Sequence, residues 1–77
     1  MVRLAEGLNV SRRKDPGNYY VAIMDKATYT KLSDALRRLG LLPEEAGNIV
    51  IVRDRSWSRI KRLINIAREL GINVVED

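Results

Sequence analysis

The ionisable side chains of this chain are ten Asp and Glu, fourteen Lys and Arg and three Tyr, with no His and no Cys. The imidazole base, the imidazole ligand and the thiolate nucleophile are therefore all absent. Acid–base or metal chemistry would have to rest on paired carboxylates, as in glycosidases and magnesium-dependent phosphotransferases. Asp25 and Asp54 hold the best positions for such a pair, because each follows an expected strand and precedes an expected helix. In a parallel sheet both fall at the carboxyl edge, where open α/β sheets bind ligands. Lys26, Thr28, Arg53, Arg55, Ser56 and Ser58 gather at that edge as anion donors. No loop of the G-x-x-x-x-G-K-S/T or G-x-G-x-x-G kind is present, so a nucleotide cradle is not supported. Asp25 also reads as a helix N-cap, and Asp54 as a loop carboxylate paired with an arginine. The expectation is a protein that is not an enzyme, with no metal and no cofactor.

Positive charge is the other chemistry on offer. The densest stretch, Arg53 to Arg62 (R-D-R-S-W-S-R-I-K-R), has five basic residues and one acid. On a helix, Trp57, Ile60, Ile64 and Ala67 take the buried side. Ser58, Arg62 and Asn65 fall opposite, Lys61 and Arg68 on one flank and Arg59 on the other. Such a face suits phosphates, or a groove entered by Arg, Ser and Asn. A second group, Arg12, Arg13 and Lys14, lies on an expected hairpin loop. The candidate nucleic-acid contacts are thus Arg12, Arg13, Lys14, Arg53, Arg55, Ser58, Arg59, Lys61 and Arg62. Trp57 can stack on a base or pin its helix to the sheet, and its phase with Ile60 and Ile64 suits the second role. Tyr19 and Tyr20 point to opposite faces of a strand, leaving one free to stack beside the basic loop.

The elements that position these residues follow from periodicity and turn chemistry. Val2, Leu4, Leu8 and Val10 alternate as a strand with a possible bulge at Gly7. Asp15-Pro16-Gly17-Asn18 is a turn, and Tyr19 to Met24 a strand that closes an antiparallel hairpin. Asp25 caps a helix from Lys26 to Leu39, with Tyr29, Leu32, Ala35, Leu36 and Leu39 on its apolar face and Gly40 at its end. Leu41 to Asn48 reads as a connector containing one helical turn at Pro43–Ala46. Asn48 to Arg53 is an unbroken apolar strand of the kind buried on both faces. Ser56 caps a second helix with Trp57, Ile60, Leu63, Ile64, Ala67 and Leu70 inward, and Ile66 outside that stripe. Ile72 to Glu76 is the last strand.

The resulting order, β-β-α-β-α-β, is a single α/β or α+β domain over residues 1–77, an N-terminal hairpin followed by a mostly parallel sheet with two helices. The first strand is expected at an edge. The 12–14 loop is then placed at the opposite end of the sheet from Lys26 and Arg53, beside Arg37, Arg38 and Arg68, so the positive charge is split. Two helices cannot cover both faces of so apolar a sheet, which points to a homo-oligomer, in the simplest case a dimer, or to a protein partner.

Composition sets the remaining bounds. At 77 residues without Cys, stability must come from packing, regular secondary structure and self-association rather than from disulfides. No apolar run reaches membrane-spanning length and the N-terminal residues do not read as a signal peptide, which suggests a soluble cytoplasmic protein. High charge with neither Gln nor Cys suits a thermophilic source. The net charge of +4 favours polyanions. A small basic nucleic-acid-binding protein is the expectation. The alternatives are a self-associating or adaptor module, and a metal-dependent phosphoryl or small-ligand protein built on Asp25 and Asp54.

Overall fold

Strand-forming and helix-forming stretches alternate along residues 7–76, which are the residues described in the computed structural model. The elements are β1 (Leu8–Ser11), β2 (Tyr20–Asp25), α1 (Lys26–Leu39), β3 (Pro43–Ala46), β4 (Ile49–Asp54), α2 (Trp57–Glu69) and β5 (Val74–Glu76). They form an α+β domain around one sheet ordered β3-β4-β2-β1-β5. β1–β2, β2–β4 and β3–β4 are antiparallel, and β1–β5 alone is parallel. β2-α1-β3 and β4-α2-β5 are interlocked split β-α-β units, each joining strands that are not neighbours.

Three expectations about the sheet are corrected. The segment Pro43–Ala46 is an edge strand rather than a helical turn in a connector. It turns back onto β4 through Gly47-Asn48, with Gly47 at φ 62°, as the first position of a primed two-residue hairpin turn requires. The sheet is therefore mostly antiparallel, because β4 arrives from a hairpin rather than from a helical crossover. β1 is interior, lying between β2 and β5, and not at an edge. The part of the expected first strand before Gly7, including Val2 and Leu4, lies outside the described residues.

α1 follows its sequence signals closely. Asp25 accepts a hydrogen bond from the Thr28 amide at 2.9 Å, and Gly40 ends the helix in the left-handed region, its N–H reaching the carbonyls of Leu36 and Arg37. Hydrogen bonds from Thr28, side chain first and backbone second, hold the Asp25 carboxyl below its usual range. An Asp25→Ala variant is expected to lose about 1 kcal/mol. A carboxyl whose folded pKa is depressed adds stability above its unfolded value, and that stability disappears as pH falls through the folded value. In urea denaturation the gap between wild type and Asp25→Ala should be full near neutral pH and should close as the pH falls through the depressed folded value.

Register decides what is covered. Leu8, Val10, Ala22, Met24, Val50 and Val52 share one face and are buried with Leu32 and Leu36 of α1 and Ile60, Leu63, Ile64 and Ala67 of α2. Both helices thus lie on the same side. The opposite face carries Val21, Ile23, Ile49 and Ile51, all half-buried, and Val75, which is exposed. β4 is consequently buried on one face only, against the expectation of two. Leu70, placed in the apolar stripe of α2, is instead 54% exposed just beyond the helix, whereas Ile66 packs partly against the core. Among the described residues no helix is long and apolar enough to cross a membrane.

Candidate nucleic-acid interface

The ladder between β2 and β4 fixes which loops meet. Tyr20 pairs with Asp54 and Asp25 with Ile49, so Asp25 and Asp54 stand at opposite ends of a six-residue antiparallel pair. Successive residues along a strand advance about 3.3 Å, which separates the two positions by roughly 17 Å. The carboxylate pair read from the sequence is therefore not brought together. Each aspartate instead has a local partner: Asp25 caps α1, and Asp54 accepts from the Ser56 amide at 3.0 Å and faces Arg59 at 3.8 Å. Among the described residues no group of three or more Asp and Glu is arranged to hold a metal ion.

The same ladder brings Arg53 to the end of the sheet that carries the 12–19 loop, against the expected separation, and leaves Lys26 at the far end. The end of β4 and the start of α2 lie at the end of the sheet that carries the 12–19 loop. That loop is closed by local hydrogen bonds. Asp15 accepts from the Tyr19 amide at 2.9 Å, and Asn18 takes the left-handed conformation at φ 69°.

On the helix side of this end, Tyr20 packs against Trp57 with ring centroids 5.1 Å apart. The Lys14 ammonium stands 5.2 Å from the Tyr20 ring and the Arg12 guanidinium 5.9 Å from the Trp57 ring. Arg12, Tyr20, Trp57, Lys61, Arg68 and Glu76 line a cleft of about 440 Å³. Glu76 lies between two guanidiniums, 3.4 Å from Arg12 and 3.5 Å from Arg68. Trp57 therefore pins its helix to the core with one side and lines the cleft with the other.

On the open-sheet side the Arg55 guanidinium stands 4.8 Å from the Tyr19 ring. Arg53 is paired with Glu44 at 2.7 Å and faces Asp15 at 3.7 Å, so much of its charge is already neutralised. Arg59 turns toward Asp54, away from the cleft. Arg13, Ser58 and Arg62 are exposed. Among the described residues, Arg13, Lys14, Arg55, Lys61 and Arg62 form no ion pair. Ser56 occupies the N-cap position of α2 without capping it; its hydroxyl meets that of Ser58 at 2.8 Å instead.

Of the nine contact residues read from the sequence, three thus converge on the cleft or its rim: Arg12, Lys14 and Lys61. Arg68 and Glu76 join them without having been singled out as contacts. Glu76 is carried there by the parallel pairing of β5 with β1, which sets it opposite Val10. Arg68 reaches it from the far end of α2, since long helical side chains lean back toward the N-terminus. The available signal was the Gly47-Asn48 dipeptide, whose tight turn reverses β4. No family model, characterised protein or solved structure matches the chain.

Proposed function

We propose that this is a non-catalytic nucleic-acid-binding protein whose contact surface is the end of the sheet carrying the 12–19 loop. The observation that carries the reading is the meeting there of Arg12 and Lys14 with Lys61, interleaved with Tyr20 and Trp57. Cations give affinity for phosphates, and aromatic faces between them give sites for bases or sugars. Arg13, Arg55 and Arg62, all exposed and without ion pairs among the described residues, add positive charge outside the cleft.

Anisotropy titrations of short labelled DNA and RNA across a salt series test the proposal. Binding is expected in the micromolar range or tighter at low salt, with the logarithm of affinity falling linearly against that of salt. Three to six phosphate contacts with a single strand correspond to a slope between about −2 and −4. No retention of any nucleic acid at about 50 mM salt would exclude this function, since non-specific attraction is strongest there.

A second reading rests on the uncovered sheet face, where Val21, Ile23, Ile49 and Ile51 are only half-buried. Apolar surface of that kind favours association with a second copy of the chain. Sedimentation velocity at low and high protein concentration is expected to show a dimer, and Ile51→Lys to return it to a monomer. A wild-type chain that stays monomeric at high concentration removes this reading.

A further inference from the structure

We infer that the cleft between Arg12 and Trp57 receives one unpaired base of a single strand, so that the protein prefers single-stranded nucleic acid to duplex. The inference rests on the nucleic-acid reading and adds the class of strand and the mode of contact. The indole of Trp57 is held from one side by Tyr20 at 5.1 Å, which fixes its plane. Its other neighbour is the Arg12 guanidinium at 5.9 Å from the ring centre. Flat groups in contact lie about 3.5 Å apart, so a base between guanidinium and indole needs about 7 Å. Arg12 has only to swing outward by about 1 Å. Its side chain is 64% exposed, and the outward swing lengthens its 3.4 Å ion pair with Glu76.

The surroundings suit a base better than a simple anion. Bases stack on aromatic rings and on arginine planes, and this cleft offers one of each facing the other. Its volume of about 440 Å³ lies in the range of ligand-sized sites. Lys14 and Lys61 flank the aromatic pair, one on the loop and one a turn along α2, where phosphates on either side of a stacked base pass. A duplex cannot use the cleft unless a base is first unstacked and unpaired, at a cost of a few kcal/mol.

Trp57 is the only tryptophan of the chain, so its fluorescence reports on the cleft directly. Four probes of equal length are titrated: a mixed-sequence single strand as DNA, the same as RNA, its DNA duplex, and a strand of abasic residues that keeps the phosphates. Both single strands are expected to quench Trp57 and to bind about tenfold or more tightly than the duplex and the abasic strand, as one stacked base implies. A difference between the DNA and RNA arms assigns the sugar preference and leaves the inference standing. Duplex and abasic strands that bind as tightly as the single strands, without quenching, would overturn the base site and leave the phosphate-binding function intact. Failure of every probe to bind would remove both. In Trp57→Leu, with helix and sheet content checked by circular dichroism, the preference for the base-bearing strand over the abasic one is expected to vanish. Wild-type quenching stands as an independent readout should that variant not fold.

Discussion

Replacing Gly7 with alanine is expected to destabilise the domain by about 3 kcal/mol, a large fraction of what so small a protein has to spare. Two costs add at this position. Gly7 lies at φ 105°, outside what L-residues with a side chain adopt readily. A Cβ built there also stands 2.2 Å from the Asn73 carbonyl oxygen, which is backbone and cannot swing aside. That oxygen accepts the Leu8 amide at 2.9 Å and opens the parallel pairing of β1 with β5. The alanine must push the two strands apart at the point where they first meet. Thermal denaturation is expected to show a fall in Tm on the order of 15 °C. Gly47→Ala serves as the comparison, because Gly47 is also left-handed at φ 62° but has open space where its Cβ would go. It should cost about 1 kcal/mol. Equal losses in the two variants would show that the close approach to Asn73 contributes nothing. Gly7 also bears on the cleft, since β5 carries Glu76 opposite Val10 only while that register holds.

The parts of this fold legible in the sequence are those whose causes are local. α1 was readable in its bounds, because its cap, its apolar stripe and its terminating glycine all lie within the helix or next to it, although Thr28, read as an anion donor, is buried. The 15–18 turn was readable for the same reason. β3 was not, since Pro43-Glu44-Glu45-Ala46 has nothing that favours a strand and all four residues are exposed. Its warrants lie outside it, in the Gly47-Asn48 turn that follows and in the backbone of β4 with which it pairs. Missing β3 reversed β4, and with it the assignment of every loop to an end of the sheet. That single reversal produced both errors about the site, the false meeting of Asp25 with Asp54 and the false separation of the two basic groups. Ile49 to Val52 shows a second limit. Four apolar residues in a row look the same whether both faces are buried or, as here, Val50 and Val52 face the helices and Ile49 and Ile51 do not.

Neutralising the rim of the cleft with Arg12→Ala, Lys14→Ala and Lys61→Ala together is expected to weaken nucleic-acid binding about 100-fold at moderate salt, at about 1 kcal/mol for each exposed contact. The slope of log affinity against log salt should shrink by about two, because three phosphate contacts with a single strand are removed. None of the three side chains is in the core, so thermal stability should change little. A purely structural role would instead move stability and leave the salt slope alone. Glu76→Gln is the counterpart of opposite sign. Its carboxylate now stands between the guanidiniums of Arg12 and Arg68, competing with any incoming phosphate. Removing that charge should tighten binding severalfold and steepen the salt slope, while the loss of two exposed ion pairs costs little stability. If the triple variant binds as wild type does and Glu76→Gln changes nothing, the phosphates are held elsewhere on the protein. Opposite shifts in the two variants, with unchanged Tm, would place the polyanion on the cleft formed by the 12–19 loop, α2 and the end of β5.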